Sequence, residues 1–208
     1  MVGGCVLWID AADPLGTGVL PADGTAIQTI KDKSGICGAI TQATSSKRAV
    51  LTYNAQAGKP GLLFDGNTSQ RLYNCTTTLL SNAPEATVFT VTKPTGSAGS
   101  RRFIIESTVA GGLTQRLAVS QEYNVSNQST VFLGDGSASF VSIVSGSTTL
   151  NETYLYRTTY NGGTTDAFNF VLNGANVGSA SRVVGGGLGP TTGFNIGTYR
   201  GADGRWFH

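Results

Sequence analysis

The strongest constraint on this chain is its punctuation. Runs of five to nine residues rich in apolar, aromatic and β-branched side chains recur from end to end, most of them separated by segments containing Gly, Asn, Asp or Pro. They include CVLWI (5–9), AITQA (39–43), AVLTY (49–53), GLLFD (61–65), QRLYN (70–74) and ATVFTVTK (86–93). RRFIIES (101–107), QRLAVSQ (115–121), TVFLG (130–134), SFVSIVS (139–145), ETYLYRTTY (152–160), AFNFVLNG (167–174) and FNIGTY (194–199) continue the series. Helix-favouring residues never hold helical spacing for more than a turn. About twelve such strands, with no long helix and no repeat, predict an all-β protein of two packed antiparallel sheets.

Particular runs sharpen the prediction. ATVFTVTK alternates, with Val88, Thr90 and Thr92 on one face and Phe89 and Val91 on the other, as in a half-buried strand. TYLYRTTY sends Tyr154, Tyr156 and Thr158 one way and Leu155, Arg157 and Thr159 the other. FNFVLNGANVG places strands on either side of Asn173-Gly174, which predicts a hairpin, because a type I′ turn needs φ > 0 twice. GLLFD and QRLYN are expected to flank a second turn at Gly66-Asn67. AITQA and AVLTY look too short for core strands. VVGGGLGPTTG (183–193) reads as a long surface loop and SNAPEA (81–86) as a helical turn. Trp8, Phe64, Phe89 and Phe170 are expected in the core.

At 208 residues the chain suits one domain spanning 1–208. Charged residues make up 12% and the net charge is +2, with no cluster beyond Lys47-Arg48 or Arg101-Arg102, which excludes the basic stripe of a nucleic-acid binder. No run approaches the length of a membrane helix. MVGGCVLWIDAADP lacks the basic start of a signal peptide, so synthesis in a cytoplasm is expected, with any export by another route and the sequons at Asn67, Asn74, Asn124, Asn127 and Asn151 unused. Cys5, Cys37 and Cys75 have no CxxC spacing; buried free thiols are the leading reading, with one disulfide plus a free thiol, or an intermolecular bridge, as alternatives.

Three phrases in order, LWIDAADP (7–14), IKDKSG…ITQAT (30–44) and GKPGLLFDG (58–66), resemble the laminin-G-like, concanavalin-A-like jelly-roll domains of bacterial and phage proteins. ATVFTVTKP (86–94) and FNIGTYRGADGRWFH (194–208) resemble the later phrases of the same domains. The resemblance implies a jelly-roll β-sandwich, and the Lys-Asp-Lys-Ser-Gly turn as part of its architecture. In that turn Asp32 can accept backbone N–H bonds and Gly35 can adopt φ > 0. Ile30 stands where the family often has Trp. Related domains also usually run on past the Trp206-Phe207 region into a last strand beside the first. From this we expect CVLWI to have an unpaired side covered by a neighbouring chain.

Catalytic machinery is missing from the residues. No Glu-x-Asp-x-x-Glu triplet of a jelly-roll glucanase is present, and Glu85, Glu106, Glu122 and Glu152 read as isolated solvated groups. The one histidine, His208, is terminal, which argues against a Ser–His–Asp site. No enzyme activity and no cofactor are expected. Calcium at Asp10, Asp13 or the Gly134-Asp135-Gly136 turn is a minor alternative to simple turn capping. Tyr123, Tyr154, Tyr156, Tyr160, Tyr199 and Trp206 are candidate sugar platforms, although any one tyrosine is better placed in the core. Tyr199, Arg200, Asp203, Arg205 and Trp206 are the candidate ligand or interface residues.

The leading functional expectation is a virion module, a phage capsid decoration or tail-fibre protein bound to other virion proteins and to copies of itself. The alternative is a lectin-like module recognising a host or extracellular glycan. The corresponding locations are the virion and the extracellular space.

Overall fold

The computed structural model describes residues 4–64, 72–75, 79–80, 83–95, 102–108, 117–121, 128–134, 140–161, 166–182 and 193–197. They form fourteen strands: β1 (Thr29–Lys31), β2 (Ala39–Thr41), β3 (Val50–Gln56), β4 (Lys59–Leu63), β5 (Leu72–Cys75), β6 (Glu85–Thr92), β7 (Arg102–Thr108), β8 (Leu117–Gln121), β9 (Gln128–Gly134), β10 (Phe140–Ser147), β11 (Tyr154–Asn161), β12 (Asp166–Leu172), β13 (Ala175–Arg182) and β14 (Gly193–Ile196). An eight-stranded sheet runs β1-β2-β5-β14-β7-β8-β9-β10, and a four-stranded sheet runs β13-β12-β11-β6. β3 and β4 form a separate hairpin. All pairings are antiparallel. The chain is an all-β jelly-roll sandwich.

Side-chain alternation builds the four-stranded sheet. Along β11, Tyr154, Tyr156, Thr158 and Tyr160 are buried while Leu155, Arg157 and Asn161 are exposed. Phe168 and Phe170 of β12 join the buried face, and Phe170 stacks on Tyr156 with ring centroids 5.8 Å apart. Facing them are Ile105, Leu117, Val119, Val131, Ile143 and Phe194 of the larger sheet. A polar bond between Tyr156 Oη and Ser129 Oγ, at 2.8 Å, crosses this core. At one margin β13 lies against β10, where a Cβ on Gly178 would stand 3.3 Å from Ile143 Cγ2.

The hairpin between β12 and β13 has the expected two-residue turn, with φ of 49° at Asn173 and 84° at Gly174. Asn173 also ties this turn to β11: its N–H donates to Leu155 O at 2.9 Å and its Oδ1 accepts from Leu155 N at 2.8 Å.

Several expectations are corrected. Residues 5–9 form no strand, so the proposed unpaired side of CVLWI does not arise. AITQA and AVLTY do contribute core strands: Ile40 on β2 and Leu51 on β3 are fully buried. GLLFD and QRLYN do not form one hairpin, because β4 pairs with β3 whereas β5 pairs with β2 and β14; Gly66-Asn67 lies outside the described residues. Glu85 and Ala86 of SNAPEA already belong to β6. Residues 183–192 lie outside the described residues. Cys37 and Cys75 are bridged, with Cα atoms 5.4 Å apart, and Cys5 is a free, half-buried thiol.

Trp8 and Phe89 are exposed, at 46% and 64%, whereas Phe64 and Phe170 are buried as expected. Glu106 is not solvated: it is 1% exposed, and Asn195 Nδ2 donates to its Oε2 at 3.4 Å. Among the described residues no helix is long and apolar enough to cross a membrane.

Candidate functional site

The site starts from Asp32. Its side chain is buried immediately after β1, where an unpaired carboxylate would be costly. It is fully engaged instead. Oδ1 accepts the N–H groups of Trp8 at 2.8 Å and Ser34 at 2.9 Å. Oδ2 accepts the Ser34 hydroxyl at 2.6 Å and the Cys37 N–H at 2.8 Å. Burial works against ionisation, but the bonds from Ser34, Trp8 and Cys37 together outweigh it and hold the Asp32 pKa below its ordinary value. Gly35 completes the turn with φ of 80° and donates its N–H to Asp32 O at 3.2 Å. The Lys-Asp-Lys-Ser-Gly phrase is thus a turn organised by one carboxylate, as the sequence suggests.

This turn also fixes the segment before it. The Trp8 N–H goes to Asp32 Oδ1, and Trp8 O accepts from Lys33 N at 2.9 Å. Lys31 N donates to Pro14 O at 2.8 Å. Both backbone polar groups of Trp8 are therefore held, although the segment belongs to no sheet. The indole is partly exposed and is not part of the core.

Lys33 extends from the turn across the same surface. Its Nζ lies 2.8 Å from Asp10 Oδ2 and 3.1 Å from Asp13 Oδ2, and 5.9 Å from the Trp8 ring centroid. The remaining carboxylate oxygens cap turns: Asp10 Oδ1 accepts from Ala12 N, and Asp13 Oδ1 accepts from Thr17 N and Gly18 N. Hydrogen bonding to Lys33 is the main cause that lowers the pKa of both aspartates, and the bond to Asp10 is the main cause that raises that of Lys33.

The suggested calcium position at Asp10 and Asp13 is therefore occupied by an ammonium group and by turn N–H donors. Among the described residues no group of three His, Cys, Asp or Glu side chains is arranged for a metal. Asp135 lies outside the described residues.

Tyr199, Arg200, Asp203, Arg205 and Trp206 also lie outside the described residues. Of the tyrosines considered as sugar platforms, Tyr154, Tyr156 and Tyr160 are buried. Tyr156 is the most committed of them: burial pushes its hydroxyl up to about 12, and the bond to Ser129 offsets part of that. Tyr123 lies outside the described residues.

What the structure brings together instead is Trp8, Asp10, Asp13 and Lys33. Reasoning from the sequence placed Trp8 in the core and treated Lys33 as part of a turn. The signal that could have found the group was the pairing of two Asp in LWIDAADP with an extra Lys in KDKSG.

No family model matches the chain, and no curated protein matches it. Solved structures do. The botulinum neurotoxin serotype G binding domain is 14% identical with a TM-score of 0.52, over 88% of this chain and 45% of that one, so this chain spans under half of its length. The CBM40 module of Ruminococcus gnavus IT-sialidase, solved with α2,3-sialyllactose, is 8% identical with a TM-score of 0.49, over 89% and 84%. The Caenorhabditis elegans galectin LEC-6 is 17% identical with a TM-score of 0.37, over 59% and 87%. Of these, the likeness to the neurotoxin domain bears on the jelly-roll fold and on nothing narrower.

Proposed function

We propose that this chain is a non-enzymatic glycan-binding module and that Trp8 is its platform. One observation carries the reading: an exposed indole whose backbone is clamped on both sides by a buried carboxylate turn, with Lys33, Asp10 and Asp13 around it. A sugar presents C–H bonds on one face and hydroxyls at its rim. The C–H face meets the negative face of an aromatic ring, and the rim hydroxyls meet charged donors and acceptors. The clamp fixes the backbone from which the indole projects, so none of that backbone ordering has to accompany the binding of a weak ligand.

Two carboxylates against one ammonium leave the group formally negative, so a neutral glycan suits it better than an acidic one. The Cys37–Cys75 bridge supports an oxidising location such as the extracellular space or a particle surface.

A virion structural role is the second reading. The exposed Phe89, Val91 and Leu155 on the outer face of the four-stranded sheet favour it, since large apolar side chains side by side suit a protein contact.

The test is a glycan array followed by titration with native protein and Trp8→Ala. We expect a neutral saccharide to bind and the substitution to weaken it by about tenfold, as loss of one aromatic contact would, with the melting temperature nearly unchanged. Absence of any saccharide ligand, or equal binding by the variant, would overturn the glycan reading.

A further inference from the structure

The geometry points to the open edge of β6 as a self-association edge, at which β6 of one copy pairs antiparallel with β6 of a second copy about a two-fold axis at Phe89. This inference stands on the sheet edge and is independent of the glycan reading.

β6 ends the four-stranded sheet, and among the described residues nothing pairs with its far side. The other sheet margins are shorter or covered. β1 has three residues and gives its Lys31 N–H to Pro14 O. β13 lies against β10, with Gly178 facing Ile143. β6 is eight residues long, pairs with β11 without a bulge, and reads EATVFTVT. Within Glu85–Thr92 it carries no Pro and no Lys, the usual devices that keep an edge from pairing; Pro84 and Lys93-Pro94 bound it on either side. Its outer row places Phe89 and Val91 in solvent, with Leu155 of β11 beside Val91.

The sequence around this edge names its own partner. A two-fold axis perpendicular to the sheet makes the two paired strands antiparallel and brings the same residues together from both copies. With the axis at Phe89, the outer rows match as Phe89 with Phe89 and Val91 with Thr87, and Lys93, the residue just past the end of β6, comes opposite Glu85. The inner rows match as Val88 with Thr90 and Ala86 with Thr92. Opposite charges therefore meet twice, once on each side of an aromatic pair, and no like charges meet. Moving the register by two residues in either direction loses both charge pairs. Among the described residues neither Glu85 nor Lys93 has an ion-pair partner in its own chain. Pairing would join two four-stranded sheets into one of eight and cover Phe89 in both copies.

Analytical ultracentrifugation over a concentration series tests this on the full chain. We expect a monomer–dimer equilibrium that Phe89→Lys shifts to monomer with the circular dichroism spectrum unchanged. Glu85→Lys alone and Lys93→Glu alone should each weaken the dimer by roughly three- to thirtyfold. The double exchange Glu85→Lys/Lys93→Glu should restore it, a result that no other dimer surface would give. A monomer at every concentration would overturn the proposal. So would a dimer indifferent to Phe89→Lys, or single exchanges that the double exchange fails to rescue.

Discussion

The segment around Asp32 and the four-stranded sheet solve the same problem in opposite ways. Around Asp32 the backbone is irregular, and its polar groups are satisfied by one side chain: four donors converge on a single carboxylate. In β6, β11, β12 and β13 the backbone satisfies itself through the ladder, and side chains are left to pack. There polar side chains are incidental. The Thr90 and Thr158 hydroxyls are buried with no hydrogen-bond partner among the described residues. Deleting a polar atom should therefore have opposite consequences in the two regions. Among the described residues the ion pairs of Lys33 with Asp10 and Asp13 lie where regular structure fails, beside the partly exposed Trp8.

The largest expected effect breaks the first region. Asp32→Ala strands the Trp8, Ser34 and Cys37 N–H groups and should cost about 3–4 kcal/mol in chemical denaturation. A loss under about 1 kcal/mol would mean that the turn holds without its carboxylate. Acid should act in the same direction. Because the Asp32 pKa is lowered, its stabilisation is present above the ordinary carboxylate value near 3.8 and is lost as the pH falls through the lowered one.

The sheet should respond to alkali instead. Tyr156 is neutral in both states below about pH 10. As the pH rises from 10 to about 12 only the unfolded chain ionises readily, so up to about 3 kcal/mol of stability drains away over that window. Comparing urea midpoints of native protein and Tyr156→Phe over this range checks it, since the variant should lose that share of the pH dependence.

A smaller effect concerns the β12–β13 turn. Gly174→Ala places a Cβ at φ of 84° and should cost about 1–2 kcal/mol, measured by thermal melts. The smallest effect has the reverse sign. Thr158→Val removes an unpartnered buried hydroxyl at nearly constant shape and should stabilise by about 0.5–1 kcal/mol. A destabilising result there would show that the hydroxyl is satisfied after all, and the contrast between the regions would weaken.

Regular structure was the legible part of this chain. Alternation in TYLYRTTY and the Asn173-Gly174 turn are local signals, and both appear as read. Alternation in β6 was also legible, but not which face would be covered. Phe89 and Val91 are the larger side chains, yet Ala86, Val88, Thr90 and Thr92 line the protected face. Facing is decided by register against β11, which is a property of the sheet. Trp8 was misplaced for a similar reason. CVLWI has strand composition, but both backbone groups of its Trp8 are taken up by a turn 24 residues away, which local propensity cannot see. The Cys37–Cys75 bridge depends on β2 lying beside β5, a non-local pairing that spacing does not encode. Glu106 reads as solvated from its neighbours in sequence, but on β7 it stands between Ala118 of β8 and Asn195 of β14, a non-local setting that leaves it 1% exposed.

The most direct measurement is a saccharide titration followed by the two indole N–H resonances, assigned with Trp8→Phe and Trp206→Phe. A neutral oligosaccharide should saturably shift the Trp8 signal, the Trp206 signal should stay where it is, and Trp8→Ala should weaken the binding by about tenfold. A shift confined to Trp206, with binding intact in Trp8→Ala, would contradict the account and return the site to the tail of Tyr199, Arg200, Asp203 and Arg205.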